Sequence, residues 1–168
     1  MSEKFKEIPG TPLSSRDIKS GKVLTFKWSP NVKYAWTAGI AYGRFLEELK
    51  NGKIIGRRCR ECERILVPPR MFCEQCFRPT DEWVYVKDTG RINTFSLSYL
   101  DADARRIKTP IPVAVIDIDG ASPGIGILHK LGNVDPEKVY IGMRVRAVWK
   151  PATQREGSVT DIKYWEPI

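Results

Sequence analysis

Four cysteines occur in the 168 residues, all of them in the stretch Arg57–Phe77, which reads RRCRECERILVPPRMFCEQCF. They form two C-x-x-C pairs, Cys59 with Cys62 and Cys73 with Cys76, separated by ten residues. Two residues between cysteines let one tight turn aim both sulfurs at a single point. Two such turns supply four thiolates, the ligand set of a closed tetrahedral metal site. Soft thiolates favour zinc or iron over magnesium or calcium. Four protein ligands leave no open coordination position, so the spacing predicts a structural site and not a catalytic one.

A redox pair or two disulfides would use the same residues. Met1–Gly10 is polar and charged with no apolar run, unlike a secretory leader. A reducing, cytoplasmic setting then favours metal over disulfide. Iron in a rubredoxin-like site takes the same four ligands. Such knuckles usually carry glycine after the second cysteine, where this chain has Glu63 and Phe77. That departure favours structural zinc as the expected cofactor.

Other chemistry lacks its parts. The single histidine, His129, lies in a predicted strand, where a satisfied structural side chain is the expectation. Asp117 and Asp119 precede a glycine turn and read as turn residues, and Asp101 and Asp103 as solvated loop residues. No phosphate loop or dinucleotide glycine motif is present. The chain is expected not to be an enzyme.

Twenty-eight lysines and arginines against 20 acids give a net charge of +8. That balance favours an anionic partner: nucleic acid, a phosphorylated cofactor or an acidic protein surface. Arg57, Arg58, Arg60, Arg64, Arg70 and Arg78 crowd the cysteine stretch, where they also offset the negative four-thiolate site. No apolar run approaches membrane-spanning length, so a soluble protein without a membrane partner is expected.

The elements that must position the cysteines follow from punctuation and periodicity. Residues 1–30 read as an irregular arm broken by Pro9, Gly10, Pro12 and Gly21, with a turn of helix near Ser15–Ser20. Val23–Phe26 could pair as a strand or pack against a partner, and Phe26 and Trp28 read as anchors into the body. Residues 31–52 read as a helix, Asn31–Lys50, capped by Asn31 or Ser29 and ended by Gly52. Val32, Ala35, Trp36, Gly39, Tyr42, Phe45, Leu46 and Leu49 recur on one face of it. That face packs against the chain itself or docks another subunit. Residues 53–80 form the ribbon, entered by a strand at Lys53–Arg57, with Val67-Pro68-Pro69 extended between the knuckles. Residues 81–168 run with period two: Glu82–Lys87, Gly90–Leu100, Pro112–Ile118, Ile125–Leu131, Met143–Trp149 and Val159–Trp165. Asp135–Lys138 reads as a capped helical turn. Short strands with one brief helix predict a five-stranded Greek-key OB barrel, a mainly β protein with an N-terminal helix.

From about Tyr34 to the C-terminus the chain resembles the zinc-ribbon OB-fold family first described as a domain of unknown function, number thirty-five. The resemblance rests on AGIAYGRFLEELKNGKIIGRRC, the VPPRMFC spacer, GRINTFSLSYL, PVAVIDIDG and NVDPEKVYIGMRVRAVW. It implies a rubredoxin-like zinc ribbon followed by an OB barrel, in a non-catalytic protein associated with acyl-CoA metabolism. Archaeal relatives look like the partner of an acetoacetyl-CoA thiolase and a hydroxymethylglutaryl-CoA synthase. With that resemblance, the cations become candidate phosphate contacts for coenzyme A or acyl-CoA: Arg57 and Arg58 near the ribbon, Arg105, Arg106 and Lys108 on a barrel loop. The alternative is a single-stranded nucleic-acid-binding ribbon and barrel, which would stack bases on Phe95, Tyr99, Trp149, Tyr164 and Trp165. Barrel aromatics more often fill the core, and the Arg105–Lys108 cluster does not interleave with aromatics.

Overall fold

The helix predicted at Asn31–Lys50 is shorter in the computed structural model, which describes residues 13–26 and 28–168. It runs over Gly39–Lys50 (α2), while residues 31–38 carry no regular structure. Neither Asn31 nor Ser29 caps it; Ala38 holds the cap position without a side-chain hydrogen bond. Gly39 has φ of +66°, a left-handed conformation that breaks helical continuity. Gly52, with φ of +73°, follows its other end as expected.

The chain divides into two compact units at Trp36/Thr37. In the first, Ser15–Lys19 forms the expected helical turn (α1), closed by a capping box between Ser14 and Asp17. Val23–Phe26 forms no strand. Phe26 and Trp28 are 88% and 70% exposed.

The second unit contains the ribbon and the barrel. Ile54–Arg58 (β1) is the centre of a three-stranded antiparallel sheet, between Ile65–Leu66 (β2) and Glu82–Val86 (β5). Phe72–Cys73 (β3) and Arg78–Pro79 (β4) make a separate two-stranded ladder at the second knuckle. β5, expected to open the barrel, thus belongs to the ribbon sheet; all five of its residues pair with β1. Gly56 has to be glycine: a Cβ there would lie 2.7 Å from the Leu66 carbonyl oxygen.

The barrel is built from Thr89–Leu100 (β6), Arg106–Ile118 (β7), Gly126–Lys130 (β8), Arg144–Trp149 (β9) and Ile162–Pro167 (β10). Their order is β10-β9-β6-β7-β8. A parallel bridge between Leu131 and Trp165 joins the two outer strands and closes the barrel. The predicted helical turn is a 3-10 helix, Pro136–Lys138, whose Asp135 side chain accepts from the Glu137 N–H.

One apolar core runs through helix, ribbon sheet and barrel: Phe45 and Leu49 from α2, Ile54, Ile55 and Val67 from the ribbon, Ile92, Ile116, Val145 and Trp165 from the barrel. Phe45 and Leu49 are 0% and 1% exposed. Their face of α2 is therefore covered by the chain itself and is not free to dock a subunit. Only the first turn, through Ile40 and Tyr42, offers exposed apolar surface.

Candidate metal centre

Each cysteine pair sits on a turn that ends in a left-handed residue, Glu63 at φ 56° and Phe77 at φ 51°. These are the positions where glycine costs least. The backbone thus forms the knuckle that glycine favours, with other residues accepting the conformation. In the first knuckle the Cys59 N–H donates to the Arg64 carbonyl at 2.9 Å.

The four Sγ atoms lie within 4.8 Å of one another, with Cys59 and Cys73 buried and Cys62 and Cys76 half-buried. A tetrahedron with metal–sulfur bonds of about 2.3 Å has sulfur–sulfur edges of about 3.8 Å. The Cys62–Cys73 separation is 3.7 Å. The thiols are electrically uneven. Cys73 is lowered to about 7, first by a hydrogen bond from the Cys76 backbone and then by one from Gln75. Cys76 is pushed up to about 12, chiefly by the neighbouring Cys62 thiol and by burial. Four thiolates this close repel, and a bound dication removes that repulsion. The donor set, spacing and burial fit zinc, held by Cys59, Cys62, Cys73 and Cys76 as a closed structural centre.

The surrounding arginines are engaged. Arg58 and Arg60 both reach Glu82, at 3.2 and 3.3 Å, and Arg64 and Arg70 both reach Glu74, at 3.0 and 3.3 Å. Arg78 reaches Asp81 at 3.0 Å and Glu61 at 3.5 Å. Arg57 is only 6% exposed: its Nε donates to Thr80 Oγ1, another guanidinium nitrogen to the Thr80 carbonyl, and it lies over the Trp83 ring. Arg57 therefore braces the ribbon exit from a buried position, whereas the expectation placed it as a phosphate contact.

Arg106 and Lys108 lie in β7 and not on a loop, both exposed. Arg105 precedes the strand and pairs with Asp103 at 3.4 Å. These three stand at the closed end of the β6–β7 hairpin, where Leu100 lies opposite Arg106. Of the candidate stacking aromatics, Trp165 is fully buried, whereas Tyr99 is 54% exposed. His129 is half-buried, its ring nitrogens 3.3 Å from the carbonyls of Lys130 and Val159, with no nucleophile or acid partner among the described residues.

Two ion-handling residues escaped the sequence reading. Asp119, read as a turn residue, receives both guanidinium nitrogens of Arg144 at 2.8 and 2.7 Å, which with the Thr89 hydroxyl lowers its carboxyl to about 2. Asp161 is fully buried. Burial acts to raise its carboxyl, but the N–H groups of Glu156, Ser158 and Gly157 outweigh it, so its pKa is lowered. Spacing in sequence could have flagged the second, through the Ser158–Asp161 capping box.

Comparison with known proteins agrees with this architecture. Residues 46–82 match the family model of the ChsH2 rubredoxin-like zinc ribbon domain, and residues 83–150 that of the ChsH2 C-terminal OB-fold domain. A DUF35 domain-containing scaffold protein of Methanocaldococcus jannaschii is 31% identical over 118 residues, covering 68% of this chain and 82% of that protein. A DUF35 protein of unknown function from Sulfolobus solfataricus shares the fold at a TM-score of 0.55 and 24% identity, over 78% of this chain and 86% of that one. The Ltp2-ChsH2(DUF35) aldolase structure matches at a TM-score of 0.55 and 19% identity, over 83% of this chain and 98% of that one. With both modules in order around a four-cysteine centre, the chain belongs to the DUF35 family of zinc-ribbon OB-fold proteins.

Proposed function

We propose that this protein is a non-catalytic, cytoplasmic scaffold that bridges a thiolase-type enzyme and a second acyl-CoA enzyme, a hydroxymethylglutaryl-CoA synthase or its equivalent. The observation that carries the reading is the closed metal centre: all four ligand positions belong to the chain, so the ribbon braces a surface and does no chemistry. The scaffold name of the Methanocaldococcus relative, and the aldolase assembly containing a DUF35 partner, support the same role.

A bridge would hold two active sites close together. An unfavourable condensation then proceeds further when its product is consumed beside it. In this reading the exposed cations of the hairpin end, Arg105, Arg106 and Lys108, meet coenzyme A phosphates at the partner's site, while Arg58 stays with Glu82. Charge attraction of that kind weakens with salt.

The test is reconstitution. The protein, the thiolase-type enzyme and the synthase of the source organism are mixed and resolved by size-exclusion chromatography with light scattering, with and without coenzyme A. A ternary complex is expected, and Arg106→Glu/Lys108→Glu should lower its yield only when coenzyme A is present. No complex with either enzyme, together with a melting temperature unmoved by coenzyme A, would end the proposal.

A further inference from the structure

The two outer strands of the barrel meet at one end only. Among the described residues, β8 pairs in a ladder with β7 alone and β10 with β9 alone. Leu131 bridges Trp165, and the Gly132 N–H donates to the Trp165 carbonyl at 2.8 Å. On that parallel register Leu128 falls opposite Ile162, three residues before each bridging partner, where no ladder joins the strands. The His129 ring spans the gap instead. Its nitrogens lie 3.3 Å from the carbonyls of Lys130, on β8, and of Val159, which opens the 3-10 turn Val159–Asp161 leading into β10.

The open seam is a cleft of about 450 Å³, inside the roughly 300–1,000 Å³ of small-molecule sites. Every residue lining it belongs to the second unit. Val113, Leu128 and Ile162 give it an apolar wall, and Lys130, Lys150 and Lys163 bring three positive charges; no carboxylate lines it. Among the described residues none of these lysines lies within ion-pair distance of an acid, whereas Arg58, Arg60, Arg64, Arg70 and Arg78 of the ribbon all do. Asp161 feels the Lys150 charge, but its buried carboxylate is taken by the N–H groups of Glu156, Gly157 and Ser158. Lys150 donates to the Thr160 hydroxyl at 3.3 Å, and Lys163 lies over the Tyr164 ring at 5.7 Å. Neither contact supplies a counter-ion.

A cleft lined by one sign of charge with low-dielectric walls focuses its field and concentrates the opposite ion. The type of cation indicates which ion. Arginine forks match planar carboxylates, as on the ribbon, whereas an ammonium is a compact point charge that meets phosphate oxygens from several directions. A phosphomonoester, with its charge near −2, matches three ammonium groups better than a single carboxylate does. We infer that the β8–β10 seam binds a small phosphate ester, its phosphate among Lys130, Lys150 and Lys163 and its organic group on Val113, Leu128 and Ile162. The inference uses none of the residues of the scaffold reading and stands or falls apart from it.

The experiment is two-dimensional NMR on the zinc-loaded full-length protein, titrated with adenosine monophosphate, with inorganic phosphate and with a short single-stranded oligonucleotide. Adenosine monophosphate should give saturable shifts at the amides of Leu128–Leu131 and Thr160–Lys163, and should bind more tightly than inorganic phosphate. Lys130→Gln/Lys163→Gln should weaken that binding more than tenfold with the spectrum outside the seam unchanged. Lys53→Gln/Lys87→Gln removes the same charge elsewhere on the second unit and should leave it as in wild type. Leu128→Ser, at an exposed position, should weaken the nucleotide and spare inorganic phosphate. Shifts that are absent or never saturate overturn the site. Equal weakening by the two lysine pairs also overturns it, because the attraction is then diffuse. Inorganic phosphate binding as tightly as the nucleotide overturns the ester and leaves an adventitious ion only. An oligonucleotide that binds more tightly, with shifts spreading along β6 and β7, overturns the free ester and assigns the lysines to a nucleic-acid backbone.

Discussion

The cysteine knuckles and the barrel both use antiparallel strands, but different forces hold them. Barrel strands run from five to 13 residues and enclose fully buried Ile92, Ile116, Val145 and Trp165. Ribbon strands β2, β3 and β4 have two residues each. The second knuckle buries Cys73 but leaves Met71, Phe72 and Phe77 at 41%, 48% and 81% exposure. A knuckle that small has no interior to offer an aromatic ring, so its centre is four sulfurs and the ion they hold. The barrel needs no ion because hydrophobic burial scales with the surface its longer strands remove from water.

The largest effect expected from breaking this contrast is loss of the metal. Structural zinc contributes on the order of 10 kcal/mol where folding depends on it. Cys59→Ser or strong chelation should melt the knuckles while barrel signals persist, seen as loss of ribbon resonances in a two-dimensional NMR spectrum with barrel resonances retained. Simultaneous loss of both would mean that the two regions are one cooperative unit.

Next in size is the join between helix and core. Phe45→Ala should cost about 3–5 kcal/mol, the range for emptying a buried aromatic site, measured by urea unfolding. Tyr42→Ala, on the exposed first turn, should cost far less. Similar small losses for both would restore the α2 face to the role of a docking surface.

The ribbon exit comes third. Arg57→Ala leaves the Thr80 groups short of a charged donor at a buried site, worth about 2–3 kcal/mol. Arg57→Lys should rescue little, because an ammonium cannot make the forked contact and also cover Trp83. Full rescue by lysine would show that only the charge matters there.

The smallest effect belongs to the barrel and is read by pH. Arg144 lowers the folded Asp119 carboxyl to about 2, below its ordinary 3.8. A depressed carboxyl stabilises the fold above the unfolded pKa and loses that contribution as pH falls through the folded one. The Asp119 contribution is therefore full above about pH 4 and fades towards pH 2. Partial exposure of the pair limits it to about 1–2 kcal/mol. Asp119→Asn should flatten the fall in melting temperature over that window. An unchanged slope would assign acid sensitivity to other carboxylates.

How much of this was legible in the sequence depended on whether the signal was local. The C-x-x-C spacing carries its own geometry, so Cys59, Cys62, Cys73 and Cys76 converge as read. Alternation likewise revealed the barrel strands, although β7 begins at Arg106, well before the expected Pro112. Partner choice was not local: Glu82–Val86 alternates like a barrel strand, but it pairs with β1 because Ile55 and Gly56 lie opposite Tyr85 and Val84. The 31–38 stretch failed because three- and two-residue periods coincide there, and Gly39 breaks the helix by a conformation its identity only permits. Arg57 looked like a surface cation because burial depends on Thr80 and Trp83, more than twenty residues away.

The most direct test of the division between an ion-held ribbon and a core-held barrel is amide hydrogen exchange on the protein before and after metal removal. The account predicts that amides of the two knuckles, about Cys59–Arg64 and Met71–Thr80, lose protection on chelation, while those of β6, β7 and β9 keep theirs. Protection in the knuckles that survives complete metal removal, confirmed by elemental analysis, would contradict it.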